Sequence, residues 1–209
     1  MKKIGFKDDI RLTGLVLLGV KKMTRRLEPC LRPLNESDPA AEFSFSPYDE
    51  KRGVIMVEVR FNGVVAACYQ IAPRFRSGEV VAVAQSLRDM GYDPHAKDWN
   101  RGDIWGLDHT PAWTNKMFVS PSKCIHRIRM NGVKIERLQD ISDEDCFAEG
   151  VGQCLVGTET LYKAYETDRG FVTAPTPKEA FGALFKKVSR RGVWESNPFV
   201  LAYSFELIQ

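Results

Sequence analysis

The segment Gly19–Arg26, with the sequence GVKKMTRR, carries the most concentrated chemistry in this chain of 209 residues. One hydroxyl, that of Thr24, lies among four cations, which are Lys21, Lys22, Arg25 and Arg26. Arginine side chains bind phosphate or carboxylate groups through paired hydrogen bonds, and lysine adds a point charge. A solvated basic turn has the same composition, so charge alone leaves an anion-binding site and a plain surface turn equally open.

Hydrophobic spacing predicts the elements that position this segment. Lys3–Phe6 is typical of a short strand, and a helix is predicted over residues 8–18, with Asp8 as its N-cap and apolar residues at helical spacing. Gly19 then occupies the position at which a helix C-terminus favours a left-handed residue. The basic segment is therefore predicted to leave the end of a helix.

The remaining chain is predicted to be rich in short strands. Residues 30–40 are typical of a loop, and Asn62-Gly63 indicates a hairpin turn. One helix is predicted from the N-cap Ser142 to Gly150 and another over Pro177–Arg191. The predicted strands are Phe43–Ser46, Val54–Arg60, Val64–Ile71, Val80–Gln85, Ile125–Ile135 and Phe199–Leu207. Without regular βαβ spacing, this pattern favours an α+β fold or a small β-barrel over a doubly wound sheet.

Two further features could contribute to a site. Residues 88–116 contain three of the four tryptophans, which are Trp99, Trp105 and Trp113. A long aromatic loop either serves ligand binding or caps the core as a lid. In the predicted strand Ile125–Ile135, Arg127 and Arg129 alternate with apolar residues, so the strand is predicted to have one basic face.

Composition limits the function classes only loosely. The net charge of +3 permits nucleic-acid binding without requiring it. Five cysteines without a CxxC pair argue against a disulfide framework or a zinc ribbon, and buried reduced thiols are expected. We predict no metal site and no cofactor. The apolar run Leu12–Val20 is too short to cross a membrane, and a cytoplasmic protein is expected.

The segment Gly19–Arg26, with the pattern GxKxxTxR after a helix, resembles the ASCH domain family, a relative of the PUA-like β-barrels. The opening Met1–Arg26 is similar to ASCH proteins of phages and prophages. Three later segments resemble the family in the same order. They are Phe75–Ala84, Arg127–Gly150 with its RLQDIS and EG motifs, and Pro177–Leu207 with Trp194, Asn197-Pro198 and Phe205-Glu206.

This resemblance implies both a fold and a function. It implies a single ASCH domain over residues 1–209, built on a PUA-like small β-barrel with flanking helices and insertions at about 35–65 and 88–116. The family is proposed to bind RNA or to act near it, in a cleft beside the GxK helix. One branch hydrolyses the amide of N4-acetylcytidine with a lysine, a threonine and a glutamate, which correspond to Lys21, Thr24 and Glu149.

The chemistry of that set is coherent. A threonine hydroxyl becomes nucleophilic when a neighbouring base takes its proton. Burial or nearby cations can lower the pKa of a lysine until it is such a base, and Lys22, Arg25 and Arg26 are candidates for this effect. Glu149 could orient the lysine or handle the proton of the leaving amine.

Three hypotheses follow from the sequence. The first is binding of RNA or a nucleotide-like ligand in a cleft next to the GxKxxTR motif. Its ligand-binding residues are Gly19, Lys22, Arg25, Arg26, Arg127, Arg129, Trp99, Trp105 and Trp113, beside Lys21 and Thr24. The second is an amidohydrolase acting on an acylated nucleoside through Lys21, Thr24 and Glu149. The third is a phage-derived module that binds another protein through the two insertions.

Overall fold

The structure is a computed structural model that describes residues 1–96 and 106–208. Its strands are β1 (Lys3–Ile4), β2 (Met23–Arg26), β3 (Glu42–Phe45), β4 (Ile55–Phe61), β5 (Val64–Ile71), β6 (Val80–Val83), β7 (Arg127–Arg137), β8 (Gly152–Val156), β9 (Glu159–Thr167), β10 (Gly170–Ala174) and β11 (Phe199–Ile208). Its α-helices are α1 (Leu12–Leu17), α2 (Arg32–Asn35), α3 (Asp143–Ala148), α4 (Pro177–Val188) and α5 (Val193–Ser196).

The strands form three sheets. The central sheet has five strands in the order β1-β6-β7-β11-β2, with β1 parallel to β6 and the other pairs antiparallel. Two three-stranded sheets, β3-β4-β5 and β10-β9-β8, accompany it. This confirms the predicted α+β class. Within the described residues, β1 and β2 remain the edges of the central sheet, so these pairings do not close a barrel.

The core lies against the central sheet. Strand β11 runs between β7 and β2, and its residues Phe199 to Tyr203 are all buried, because both of its faces are covered. In β7 only the alternate residues are buried: Ile128 and Met130 lie in the core, whereas Arg127 and Arg129 are exposed. The predicted basic face of this strand is confirmed.

Several local predictions are confirmed by backbone geometry. Asn62 and Gly63 have φ values of 50° and 77°, as a tight hairpin turn with two left-handed residues requires. Ser142 caps α3 by accepting a hydrogen bond from the Asp145 N–H at 3.1 Å. Gly19 ends the first helical segment with a φ of 67°.

Other boundaries were wrong for identifiable reasons. The first helix begins at Leu12 instead of Asp8, because Arg11 has a left-handed φ of 59° that interrupts it. The predicted loop 30–40 begins with a 3-10 turn, Pro29–Leu31, and with α2, since Pro29 and Pro33 occupy positions where proline favours helix initiation. The predicted helix Pro177–Arg191 ends at Val188. The hairpins of β8, β9 and β10 were not predicted.

Two other expectations can be compared with the structure. All five cysteines are free, but only Cys124 and Cys146 are buried, and Cys68 is exposed. The expectation of buried thiols is therefore only partly met. Within residues 1–96 and 106–208, no helix combines the length and the hydrophobicity needed to cross a bilayer.

Candidate functional site

A cleft of about 1220 Å³ opens beside the edge strand β2 and includes the predicted basic segment in its wall. Most of its lining residues come from residues 5–9, residues 24–29 and helix α4. Small-molecule sites typically occupy about 300–1,000 Å³. The cleft therefore has room for a ligand of nucleotide size.

The polar floor of this cleft is a direct contact between Lys21 and Glu149. Lys21 Nζ donates one hydrogen bond to the Glu149 carbonyl oxygen at 2.7 Å and another to the carboxylate oxygen Oε2. Only 3% of Lys21 and 4% of Glu149 is exposed. A buried lysine and carboxylate are held together because either charge alone would be costly to remove from water.

The backbone fixes where these two side chains meet. After the left-handed turn at Gly19, the Lys21 N–H donates to the Leu15 carbonyl at 3.0 Å, which ties the segment to the last turn of α1. The Lys22 N–H donates to the Ala148 carbonyl at 2.7 Å, which ties it to the end of α3. Lys21 and Glu149 are therefore brought together by backbone hydrogen bonds as well as by their own ion pair.

The guanidinium group of Arg25 is surrounded by carboxylates. Its side chain is fully buried, and its guanidinium group contacts Glu136 at 2.6 Å, Asp145 at 2.6 Å and Glu149 at 3.2 Å. Lys134 lies 2.9 Å from both Glu136 and Asp145, so three cations and three carboxylates form one network. In this structure the Arg25 guanidinium holds protein carboxylates, and the predicted contact between Arg25 and a ligand stays a prediction.

Burial is the main influence on the protonation of Lys21. Burial lowers the pKa of Lys21, Glu149 opposes this effect, and the charges of Arg26 and Arg25 add to it. Both arginines thus act as predicted, whereas Lys22 is exposed. Burial alone would also lower the pKa of Arg25, but its three carboxylate neighbours raise it overall, so Arg25 stays charged.

Thr24 lines the same cleft and is 7% exposed. Thr24 pairs with Tyr203 across the β2–β11 contact. Because Thr24 and Arg25 are consecutive residues of strand β2, their side chains point to opposite faces of it. Within residues 1–96 and 106–208, no protein group forms a hydrogen bond with the Thr24 hydroxyl. Lys21, Thr24 and Glu149 therefore share one cleft, and the Lys21–Glu149 contact is the one already formed.

The other residues predicted for the site divide into two groups. Arg26 lines the cleft, with Nη2 donating to the Gly5 carbonyl at 2.8 Å. Gly19 shapes the turn and does not line the cleft. Arg127 and Arg129 lie on the exposed face of β7, outside the cleft lining, and Arg129 is 3.6 Å from Glu206.

The tryptophans do not complete the site within the described residues. Trp113 packs on a small separate cluster that includes Leu87, Leu107 and Val119, so its contacts fit the alternative of a lid over apolar residues. Trp99 and Trp105 lie outside the described residues. None of the three tryptophans predicted to bind the ligand is therefore a described member of the cleft lining.

Sequence reasoning missed several residues that shape the cleft. Glu28 accepts a hydrogen bond from the Tyr203 hydroxyl at 2.7 Å, and Phe6, Arg74 and Lys116 also line the walls. One available signal was the four-residue spacing of Asp145 and Glu149, which places two carboxylates on one side of α3. That pair predicts a buried cation partner, which the structure identifies as Arg25.

The predicted insertions contribute surface away from the polar floor. Residues 35–65 include β3 and β4, and the β4–β5 hairpin exposes Val64, Val65 and Phe61 at its tip. Exposed apolar side chains of this kind are compatible with protein binding, as the third hypothesis requires. That hypothesis stays a prediction.

Comparison with known proteins adds no assignment to this geometry. Neither protein-family models, nor curated proteins, nor solved structures gave a match to the chain. The resemblance to ASCH domains therefore rests on the sequence segments quoted above and stays a prediction.

Proposed function

We propose that the cleft binds a nucleoside- or nucleotide-like ligand and hydrolyses an acyl amide on it, as in N4-acetylcytidine. The observation that carries this proposal is the buried Lys21–Glu149 pair in a cleft that Thr24 also lines, with no described group bonded to the Thr24 hydroxyl. Ionisable groups with displaced pKa values cluster at functional sites, because catalysis requires them. A lysine whose pKa is lowered by burial fits that description.

The proposed reaction proceeds in two steps. In the fraction of molecules whose Lys21 has released its proton to solvent, Thr24 Oγ attacks the amide carbonyl carbon while the neutral Lys21 amine takes the hydroxyl proton. The C–N bond then breaks, and Lys21 returns the proton to the leaving nitrogen. Water hydrolyses the resulting threonine ester, so that amide and water give carboxylic acid and amine. Lys21 must turn from Glu149 toward Thr24 during this cycle, since its hydrogen bonds go to Glu149 in this structure.

Glu149 and Arg25 act as positioning residues in this scheme. Glu149 anchors Lys21 through both its carbonyl and its carboxylate, and Arg25 holds the other carboxylate oxygen at 3.2 Å. Because Arg25 is itself fixed by Glu136 and Asp145, the carboxylate of Glu149 cannot rotate freely. The network thus fixes the resting position of the Lys21 amine beside Glu149.

The apolar wall suits a nucleobase. Phe6, Phe181 and Leu184 are buried residues that line the cleft next to its polar floor. A flat base packed against such a wall would displace water from the reacting amide, which strengthens electrostatic interactions at the floor. This arrangement favours a small ligand over an extended surface for nucleic acid.

We also propose that the fold is a PUA-like architecture of the ASCH type. In support, the separate segments that carry the resemblance meet at one cleft. Lys21 comes from the GxKxxTxR segment, Glu149 from the segment ending in EG, and Phe181 from the closing helix. Segments that are far apart in sequence, and that all carry the resemblance, contribute to the same site.

The direct test is cytidine release from N4-acetylcytidine, followed chromatographically. Wild-type protein is expected to turn over, and Thr24→Ala should lose at least about a hundredfold in kcat, as loss of a nucleophile requires. The matched control is Arg127→Ala, which removes an exposed residue outside the cleft and should keep wild-type turnover. Equal activity of Thr24→Ala and wild type would overturn the assignment of the nucleophile.

Binding without turnover is the second candidate function. Titration of cytidine and cytidine 5′-monophosphate distinguishes the two, since both compounds lack the acyl group. If the protein binds them but releases no cytidine from N4-acetylcytidine, the site is a binding module. If the protein binds neither cytidine nor its monophosphate and releases no cytidine from N4-acetylcytidine, the proposal for this cleft fails.

A further inference from the structure

Two arginines of the cleft lining have guanidinium groups that form no ion pair with any carboxylate of the described residues. Arg26 and Arg74 both line the cleft, and within residues 1–96 and 106–208 neither forms an ion pair with a carboxylate. Each guanidinium lies near an aromatic ring, Arg26 at 5.7 Å from the Phe6 centroid and Arg74 at 5.3 Å from the Phe75 centroid. The rings support these groups without cancelling their charge.

The contrast with Arg25 is direct, because it is adjacent to Arg26 in sequence. The guanidinium of Arg25 is surrounded by three carboxylates. Among the described residues, Arg26 donates to one acceptor, the Gly5 carbonyl, and its buried Nε has no hydrogen-bond partner. A buried donor without a partner is costly, so its persistence at a cleft wall is typical of a site completed by a ligand.

The positive charges of Arg26 and Arg74 are close enough to repel each other. Burial lowers the pKa of Arg26, the charges of Glu149 and then Glu28 oppose that effect, and the charge of Arg74 adds to it. The carboxylate of Glu28 also lines the cleft, and its oxygens already accept from the Tyr203 hydroxyl at 2.7 Å and the Arg74 backbone N–H at 2.9 Å. Glu28 is therefore bonded to groups other than the two guanidinium groups.

We infer that Arg26 and Arg74 form a subsite for a phosphate group on the sugar of the ligand, so that the preferred substrate is a nucleotide and not a free nucleoside. The inference rests on the proposed function, because it places the nucleobase at the apolar wall and the acyl amide at the polar floor. Arginine suits this task, since its planar donors match phosphate oxygens. Arg74 is exposed and can reach an incoming anion without unfolding the wall.

The test compares ligands that differ only in phosphate. Dissociation constants are measured by calorimetry for cytidine, cytidine 5′-monophosphate and a dinucleotide whose cytidine carries the same 5′-phosphate as a diester. Wild-type protein should bind the monophosphate about tenfold or more tightly than cytidine, the gain expected from one charge-assisted contact. Added salt should reduce this preference, because charge interactions at an open cleft are screened.

Arg74→Gln should erase the preference while changing cytidine affinity by less than about twofold. The matched control is Arg169→Gln, which removes the same charge from an exposed turn outside the cleft lining and should keep the preference. Equal tightening by monoester and diester supports a phosphate within an RNA chain, and tightening by the monoester alone supports a free nucleotide. Equal binding of cytidine and the monophosphate by wild type, or equal weakening of both by Arg74→Gln, would overturn the inference.

The two proposals fail separately. A preference for the monophosphate with no release of cytidine from N4-acetylcytidine would refute the hydrolase and keep the phosphate subsite. Turnover of N4-acetylcytidine with no higher kcat/KM for its 5′-monophosphate would keep the hydrolase and refute the subsite.

Discussion

Replacing Glu149 with glutamine tests the buried network most sharply. The substitution keeps the shape of the side chain and removes one charge that contacts both Lys21 and Arg25. Arg25 retains Glu136 and Asp145, whereas Lys21 retains only the Glu149 carbonyl oxygen and the new amide oxygen as acceptors. The variant therefore leaves one buried cation, Lys21, without its counter-charge.

The expected loss follows from this burial. Removing one partner of a buried ion pair costs about 3–5 kcal/mol, and the acceptors that Lys21 keeps place this case near 3 kcal/mol. For a protein of this size, 1 kcal/mol lowers Tm by about 2–4 °C, so the variant should melt about 6–12 °C below wild type at neutral pH. Urea unfolding monitored by circular dichroism gives the free energy itself.

The loss should shrink as the pH rises. Burial gives Lys21 a folded-state pKa below its ordinary value of 10.5, so in the window between these values the unfolded chain binds more protons than the folded one. Stability contributed by Lys21 therefore rises with pH through that window. Glu149 raises the pKa of Lys21, so in the variant this pKa falls further and the window widens. Once Lys21 is deprotonated it needs no counter-charge, and the variant recovers part of its lost stability.

Glu144→Gln provides the control. Glu144 is an exposed carboxylate on the same helix, and its loss should change stability by no more than about 0.5 kcal/mol. Equal free energies of unfolding for Glu149→Gln and Glu144→Gln at neutral pH would contradict the predicted loss. A difference in free energy of unfolding between Glu149→Gln and wild type that stays constant as the pH approaches 10 would contradict the predicted pH dependence.

Three other outcomes can be measured. The kcat/KM for amide hydrolysis should rise with pH through the lowered pKa of Lys21, since only the neutral amine accepts a proton; a flat profile contradicts this role. Ser142→Ala should cost about 1 kcal/mol and lower Tm by about 2–4 °C, because it removes the N-cap of α3, and an unchanged Tm would contradict it. Gly150→Ala should lower stability by about 1–3 kcal/mol in a urea titration, because Gly150 has a φ of 105° and a Cβ would lie 3.0 Å from Leu15 Cδ1. Wild-type stability of that variant would show that the turn relaxes freely.

Much of the local structure could be predicted from the sequence because it depends on neighbouring residues. Asn62-Gly63 encodes its hairpin through two left-handed residues, and Ser142 encodes the start of α3 through a cap three residues away. The first helix was placed too early because nothing in the sequence marks Arg11 as left-handed. Leu155 and Phe171, exposed on the unpredicted sheet of β8 to β10, show why its strands lack a clear alternating pattern.

The sequence by itself determined that Gly19–Arg26 leaves a helix end and joins cations with a hydroxyl, since type and spacing suffice for that statement. Only the tertiary structure decided which of these cations pair with protein carboxylates. Arg25 is saturated by carboxylates from β7 and from α3 and its C-cap, whereas its neighbour Arg26 lacks any carboxylate partner among the described residues. Ion pairing falls off steeply with distance, and those distances depend on contacts between residues more than a hundred positions apart.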